Sequence, residues 1–389
     1  MSKKIKICYI TGTRADYGLM RHTLRTIEKQ FSLTLAVVGM HLLPEFGNTV
    51  KEVVNDRFNI GARIKVSLGD SGEEMASALG QYIIKLTEFF SSHRPDLILL
   101  LGDRDEALAG AIVGAHLNIP VAHIHGGDQG DDGAHIDDSI RHAITKFSHI
   151  HLAATTKSAE RILRMGEEKW RIHVVGAPAL VEINFERFYP KLYLAEKFKI
   201  NFSQPLLLVI QHPVSTEWKQ AGEQMKITLE ALKELNLQTI LIYPNADAGG
   251  EEIIKVIKHY EKYSFLKTYK SLPRREYLSL MNYASVMLGN SSSGTVDTPC
   301  FKLPVVNIGI RESVREQAGN KIFVGHNKAA IVKAVKKALS DKAFIRKVKH
   351  CVSPYGSGDA DKKIAAVIKK VFPLAIKNKT KLLTKRLTY

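Results

Sequence analysis

The chain has 389 residues, 45% of them hydrophobic, and a formal net charge of +17 at pH 7. This length is long for one domain and enough for the cores of two, so we expect two domains. The longest unbroken apolar runs, such as Leu97 to Leu101, are far too short to span a membrane, and the N-terminus has no signal-peptide pattern. The three cysteines are widely spaced without a C-x-x-C pair, which argues against a disulfide framework and a zinc knuckle. We therefore expect a cytoplasmic protein without stable membrane insertion.

The excess of positive charge would attract nucleic acid, an anionic membrane surface or an anionic small molecule. Acidic residues such as Asp103, Asp137 and Asp138 would repel a phosphate backbone, and no nucleic-acid-binding pattern is visible. We therefore expect an anionic small substrate and no nucleic acid, while a basic nucleic-acid-binding protein is the alternative of another class. We interpret the basic tail at 375–389 as a frayed C-terminus, with a short amphipathic segment lying on a membrane as the other interpretation.

Strand-like apolar runs alternate with helical patterns along the chain, which is typical of βαβ units and parallel sheets. The first series has six predicted strands, with a helix predicted over 72–90: they lie at 5–10, 33–38, 96–101, 120–124, 149–153 and 172–175. The second series has five, at 205–210, 239–243, 265–269, 286–289 and 304–308. The sequence therefore predicts two doubly wound α/β domains of similar kind.

Two turns among the predicted strand ends are of special interest, because ligands of open α/β sheets bind at the carboxyl ends of strands. The segments 12–17 and 289–294 each follow an apolar run and precede a predicted helix, where backbone N–H groups and the helix dipole hold phosphate. An Asp or Ser at such a place is often only a helix N-cap. Two turns of this kind in one chain predict a diphosphate-bridged ligand, with a nucleotide-sugar as first candidate.

Several motifs make a family resemblance specific. The segments HIHGGD at 123–128 and IDDSIRH at 136–142 resemble those of the hydrolysing UDP-N-acetylglucosamine 2-epimerases, both the bacterial sialic-acid-pathway enzymes and the epimerase half of the bifunctional animal enzyme. Further matching segments follow the family's order from about residue 5 to 360: GTRADYG at 12–18, GDR at 102–104, QHPVST at 211–216, PNADAG at 244–249 and GNSSSG at 289–294.

The resemblance implies a GT-B fold, in which two Rossmann-like domains face each other across a cleft and the last helix returns to the first domain. With the turn at 176–178 as boundary, we expect four parts: an N-terminal domain at 1–178, a C-terminal domain at 179–356, a returning helix at 357–374 and the basic tail at 375–389. A homodimer or homotetramer is also implied.

The activity that the resemblance implies is conversion of UDP-N-acetylglucosamine and water to N-acetylmannosamine and UDP, by elimination of UDP and hydration of a glycal, for sialic-acid-like sugar biosynthesis. The alternative is the same chemistry on a GDP-linked or diacetamido nucleotide-sugar of a legionaminic-type pathway. This chemistry needs no cofactor and no metal. The His and Asp residues crowded into 123–142 lack the H-E-x-x-H spacing of a zinc site.

The resemblance also assigns residues to roles, with the diphosphate at Arg14, His212, Ser291 and Ser292 and the ribose at Asp297. The implied catalytic residues are Asp103, Asp128, Asp137 and His212. The implied substrate-binding residues, of which His41 and Arg141 line the sugar pocket, are Arg14, His41, His125, Arg141, Asn245, Asp247, Gly289, Asn290, Ser291, Ser292, Asp297, Arg311 and Arg315.

Three departures from the family pattern concern the site. Many members carry Glu at the position of either His125 or Asp128, where this chain has His and the shorter Asp. The segment 129–136 is about three residues longer than in several relatives, so Asp131 or Asp132 is an alternative source of the loop carboxylate. Asp297 stands where Glu is usual.

Overall fold

The computed structural model describes residues 4–44, 47–67, 72–129, 136–185, 187–244, 249–377 and 379–388. The chain divides into two compact units. Unit 1 comprises Met1–Asn184 and Tyr355–Tyr389, and unit 2 comprises Phe185–Pro354. Each unit contains a parallel sheet with helices, so the prediction of two Rossmann-like α/β domains is confirmed.

Unit 1 is built on a parallel sheet whose described strands run in the order β3-β2-β1-β4-β5-β6-β7. These strands are β1 (Lys6–Thr11), β2 (Ser32–Val38), β3 (Ile60–Ile64), β4 (Leu97–Leu101), β5 (Val121–Ile124), β6 (Ile150–Ala153) and β7 (Ile172–Val174). The helices between them are α1 (Arg14–Gln30), α2 (Val50–Asn55), α3 (Gly72–Ser92), α4 (Asp105–His116), α5 (Ile136–Phe147) and α6 (Thr156–Arg164), and α7 (Val181–Phe185) follows β7. Helices cover both faces of such a sheet, so β4 is apolar and buried at every position.

Unit 2 repeats the plan with described strands in the order β10-β9-β8-β11-β12-β13. Its helices begin with α8 (Lys191–Phe198), and its strands are β8 (Leu207–Ile210), β9 (Thr239–Ile242), β10 (Leu266–Tyr269), β11 (Val286–Gly289), β12 (Val305–Ile308) and β13 (Lys321–Val324). The remaining helices are α9 (Ala221–Leu235), α10 (Gly250–Tyr260), α11 (Arg274–Tyr283), α12 (Ser293–Val296), α13 (Lys328–Ser340) and α14 (Lys342–Lys349).

The structure adds two strands that the apolar runs did not predict, β3 and β13, and both lie at a sheet edge. An edge strand is covered on fewer sides, so its residues need not be uniformly apolar. In β3 exposed and half-buried residues alternate up to Ile64, and Gly61 and Arg63 interrupt the apolar pattern. All four residues of β13 are half-buried or exposed.

The C-terminal segment returns to unit 1. Helix α15 (Ala360–Lys377) packs on α1, where Ile364 and Ile368 join the core of the sheet. The Thr26 hydroxyl in α1 donates to the Asp361 carboxylate at 2.7 Å. Helix α16 (Lys379–Leu383) follows. Among the described residues, no helix is both long enough and apolar enough to cross a membrane.

The basic tail is packed against unit 1, so its interpretation as a frayed end is wrong for residues 379–388. Leu382 is buried, and its backbone oxygen accepts a hydrogen bond from the buried Arg171 guanidinium at 2.7 Å. The Lys385 ammonium pairs with the buried Glu167 carboxylate at 2.8 Å. The Thr388 amide donates to Gly166 O at 3.0 Å.

Candidate active site

Unit 1 gathers charged side chains at the carboxyl ends of β4 and β5, which are neighbouring parallel strands. Asp103 follows β4 and His125 follows β5. The two strand ends are joined by buried His123, whose Nε2 lies 2.7 Å from Gly102 O. Burial lowers the pKa of His123 to about 3, so the ring is neutral at pH 7 and donates from Nε2.

Arg141 connects the carboxylates of this edge. Its side chain is 10% exposed and forms ion pairs with Asp103 and Asp138, while Nη1 also donates to Asp128 O at 3.0 Å. Burial lowers the pKa of Arg141, but the Asp103 and Asp138 carboxylates outweigh burial and raise it above its usual range. The structure therefore brings three predicted site residues, Asp103, Asp128 and Arg141, into one hydrogen-bonded network.

Asp128 is held by two side chains. The Ser158 hydroxyl donates to Oδ1 at 2.7 Å, and His125 Nδ1 lies 3.1 Å from Oδ2. Burial raises the pKa of Asp128, but the hydrogen bonds from His125 and Ser158 together with Arg141 outweigh burial and lower it. Asp128 is therefore an ionised carboxylate at neutral pH.

Asp137 lies exposed in the first turn of α5, one residue before Asp138. Its charge contributes to a raised pKa of Asp105, after the larger effects of burial and Glu106. Asp137 is thus near the residues that follow β4. The alternative carboxylates Asp131 and Asp132 lie outside the described residues.

The first predicted phosphate turn is filled by a side chain of the chain itself. The Asp16 carboxylate accepts the backbone N–H groups of Gly12 and Thr13, both at 2.9 Å, and the Thr13 hydroxyl accepts the Asp16 amide in a capping box. These two N–H groups are therefore engaged by an internal anion, so a phosphate contact at this turn would have to come from other groups, such as the Arg14 side chain. Arg14 in the same turn is exposed and pairs with Glu52 at 2.9 Å.

His41 is fully buried beside that turn. Its Nε2 lies 3.0 Å from the Thr11 hydroxyl and its Nδ1 lies 2.8 Å from the Thr49 hydroxyl. Burial lowers the pKa of His41 to about 4. Because both ring nitrogens have internal partners, His41 supports the strand end and does not offer a free polar atom, unlike the sugar-lining role predicted for it.

In unit 2, the turn after β11 depends on Gly289, whose φ is +122°. A Cβ atom there would stand 1.9 Å from Ile210 O, so only glycine fits. The next residue, Asn290, is buried and clamps the backbone of His212, because Oδ1 accepts the His212 amide at 2.7 Å and Nδ2 donates to His212 O at 2.9 Å. The Asn290 side chain is thus engaged in fixing His212. The Arg311 guanidinium donates to Asn290 O at 2.9 Å.

Ser291 is buried and Ser292 half-buried at the same strand end, and Ser292 is the N-cap of α12. The helix predicted to follow this turn spans only Ser293–Val296 before a 3-10 turn at Thr298–Phe301. The dipole of this four-residue helix is correspondingly weak, so any anion binding here depends on individual N–H and hydroxyl groups.

Asp297 and Arg315 have internal partners. The Asp297 carboxylate is buried and pairs with both terminal nitrogens of Arg274 at 3.1 and 3.2 Å. Arg315 Nε lies 3.6 Å from the buried Glu312 carboxylate. Arg274 thus engages the carboxylate for which a ribose contact was predicted. Asn245 and Asp247 lie outside the described residues.

Comparisons with known proteins agree with this architecture. A family model described as UDP-N-acetylglucosamine 2-epimerase matches residues 25–369. The chain is 39% identical over 369 residues to the UDP-N,N'-diacetylbacillosamine 2-epimerase (hydrolyzing) of Legionella pneumophila, with 94% of this chain and 96% of that protein covered. It is 34% identical to the UDP-N-acetylglucosamine 2-epimerase of Neisseria meningitidis serogroup B, with 86% and 88% covered. The chain belongs to the UDP-N-acetylglucosamine 2-epimerase family.

The fold of this 2-epimerase family member matches that of solved structures. A crystal structure of UDP-GlcNAc 2-epimerase from Neisseria meningitidis bound to UDP-GlcNAc superposes with a TM-score of 0.76 at 17% identity, covering 94% of this chain and 100% of that one. The family resemblance and the two-domain α/β fold predicted from the motifs are both confirmed.

Two residues of α6 that the motifs missed support the loop after β5 in this family member. Ser158 binds Asp128, and Arg161 donates to Gly127 O at 2.9 Å. A signal was available, because α6 follows β6, so its first turn lies at the sheet edge where β5 ends. Polar residues in the first turn of that helix could therefore have been listed with those after the strands.

Proposed function

We propose that this family member is a hydrolysing 2-epimerase that converts a UDP-linked 2-acetamido sugar and water to UDP and the free sugar inverted at C2. The observation that carries the proposal is the network of Asp103, Arg141, Asp128 and His125 at the carboxyl ends of β4 and β5. It supplies several proton-transferring groups at one sheet edge, as the reaction requires.

The chemistry accounts for these residue types. The C2 proton of the sugar is far too weak an acid for a carboxylate or an imidazole to remove directly. Cleavage of the C1–O bond therefore leads, and the oxocarbenium character that develops at C1 acidifies C2. A modest base then removes the proton and a glycal forms. Hydration of the glycal needs one group to protonate C2 and another to activate water for attack at C1.

The roles follow from this order of steps. We assign Asp103, Asp137 and the His125–Asp128 pair to proton transfer, with Arg141 holding the Asp103 side chain in place. Arg14, His212 and the turn at 289–292 are assigned to the departing diphosphate, whose growing charge cationic groups and N–H donors stabilise.

Two substrates have support. A UDP-linked diacetamido sugar is the first candidate, because the Legionella relative with 39% identity is named for UDP-N,N'-diacetylbacillosamine. UDP-N-acetylglucosamine is the second, because the Neisseria relative with 34% identity is named for it. The product of either substrate would enter the biosynthesis of a sialic-acid-like sugar. We place the enzyme in the cytoplasm and propose that it is a homodimer or homotetramer.

Proton NMR in D2O tests the proposal. The purified protein is incubated with each nucleotide-sugar without added metal, and we expect UDP and a free manno-configured sugar deuterated at C2 from one of them. Asp103→Asn should abolish turnover. Asp96→Asn is the matched control, because Asp96 precedes the same strand and accepts the Lys6 amide at 2.8 Å. Release of UDP with an uninverted, undeuterated sugar would mean simple hydrolysis and refute the proposal.

A further inference from the structure

The two oxygens of the Asp128 carboxylate are both engaged. Oδ1 accepts the buried Ser158 hydroxyl at 2.7 Å, and Oδ2 lies 3.1 Å from His125 Nδ1. The bonds from His125 and Ser158 outweigh burial and lower the pKa of Asp128. A carboxylate that is stabilised in its charged form on both oxygens is a poor proton acceptor.

The His125 ring has the opposite character. Its Nδ1 faces Asp128, while Nε2 is shielded from water and has no hydrogen-bond partner among the described residues. Polar atoms without a partner are rare in folded proteins, and catalytic groups are among the accepted explanations. In the neutral ring, donation from Nδ1 to Asp128 leaves the lone pair on Nε2.

The backbone holds this ring in an unusual conformation. His125 has a φ of +66°, which non-glycine residues seldom adopt. Its loop is fixed from the other side by α6, because a Cβ at Gly127 would stand 2.2 Å from Ser158 O and Arg161 donates to Gly127 O at 2.9 Å. Strained residues that their surroundings hold in place cluster at functional sites.

We infer that His125 Nε2 is the catalytic base that accepts the C2 proton, and that Asp128 is a positioning residue that fixes the ring and its tautomer. The inference rests on the proposed function. It reassigns the acid–base role from the carboxylate of the pair to the imidazole, a division of labour like that between Asp and His in hydrolytic triads.

The step balances as follows. The Nε2 lone pair takes the C2 proton, the C2–H electron pair becomes the C1=C2 double bond, and the C1–O pair leaves with UDP. In the hydration half, a carboxylic acid on the opposite face protonates C2 while water adds to C1, and the proton that water loses restores that acid. The imidazolium releases its proton to solvent, which matches the proton produced when a nucleotide-sugar is hydrolysed to UDP.

The main test uses His125→Gly in the full-length protein, because glycine tolerates the positive φ and leaves room for a free imidazole molecule. We expect kcat to fall roughly 10²–10⁴-fold, with UDP affinity retained and part of the rate restored by added imidazole. His93→Gln is the matched control, since the exposed His93 ring stacks on Phe89 just after α3 and precedes β4, whereas the network lies at the carboxyl end of that strand. Turnover within tenfold of the unaltered protein would overturn the inference, as would a loss that imidazole does not restore in a normally folded variant.

Asp128 is tested through kcat and the tautomer. Asp128→Asn should lower kcat with little change in KM, and nitrogen NMR of the His125 ring should show the proton on Nδ1 in the unaltered protein and on Nε2 in the variant. The NMR measurement needs no substrate, so it separates the two proposals. Absence of turnover by the unaltered protein would refute the proposed function, whereas a proton on Nε2 of its neutral His125 ring would refute this inference.

Discussion

Replacing Arg171 by Met removes the charged group that binds the C-terminal tail to unit 1. The Arg171 side chain is fully buried and donates hydrogen bonds to His149 O at 3.1 Å, Leu382 O at 2.7 Å and Thr384 O at 2.6 Å. Its Nε pairs with the Glu168 carboxylate at 2.7 Å. Methionine fills a similar length but offers no donor.

The magnitude follows from what loses its partner. The Glu168 carboxylate is half-buried and can turn to water, so the cost comes mainly from the carbonyl oxygens, since a hydrogen bond from a charged group is worth about 1.5–3 kcal/mol. The carbonyls of Leu382 and Thr384 can regain water if the tail separates, but that exposes the Leu382 side chain, whose burial contributes about 1.5–3 kcal/mol. His149 is buried directly before β6, so its carbonyl oxygen cannot regain a hydrogen bond from water when the tail separates. We therefore expect Arg171→Met to lower the free energy of unfolding by about 3–5 kcal/mol and to release the tail.

Urea unfolding and limited trypsin digestion measure the two consequences. In the unaltered protein the packed tail should resist cleavage at Lys385, whereas Arg171→Met should be cut there first. Lys226→Met is the control, because its exposed ion pair with Glu223 is of the kind worth about 0–1 kcal/mol. A loss of stability below about 1 kcal/mol in Arg171→Met, with the tail still protected, would refute the reasoning.

Two further predictions concern folding. Gly289→Ala places a methyl group against Ile210 O at a positive φ, so we expect the free energy of unfolding to fall by about 2–5 kcal/mol. Urea unfolding measures this change, and an unchanged urea midpoint would contradict the prediction. Acid should also destabilise the folded protein, because burial lowers the pKa values of His123 and His149 from 6.5 to about 3. Between these two pH values the unfolded state binds more protons than the folded state. Each of the two histidines should lower the free energy of unfolding by about 1.4 kcal/mol per pH unit as the pH falls through this window. A free energy of unfolding that stays constant from pH 7 to 4.5 would contradict the prediction.

The two predicted phosphate turns show how much of the site can be predicted from the local sequence. The turns at 12–17 and 289–294 look alike in sequence, but the first is closed by Asp16, which accepts the amides of Gly12 and Thr13. A Thr followed three residues later by an acid is a capping signature, so this outcome was partly legible in the sequence. In the second turn the Asn290 side chain forms hydrogen bonds with the backbone of His212, which lies 78 residues away in the sequence. A contact at that distance cannot be predicted from the local sequence.

The tail illustrates the same limit. Its lysines suggest a solvated end because local composition is the only guide there. The groups that hold it, Glu167 and Arg171, lie more than 200 residues earlier in the chain. Apolar runs predicted the central strands because burial on both faces leaves a local trace, whereas a buried ion pair between distant segments leaves none.

The tail and the candidate site hold opposite ends of the same two helices. α5 carries Asp138, the partner of Arg141, in its first turn, and near its end Lys146 O accepts the Lys385 ammonium at 2.6 Å. α6 carries Ser158 in its first turn and is followed by Glu167, which also pairs with Lys385. Packed helices transmit a displacement along their length. Releasing the tail in Arg171→Met should therefore lower turnover as well as stability, and full turnover with a released tail would mean that the two helices keep the loop in place unaided.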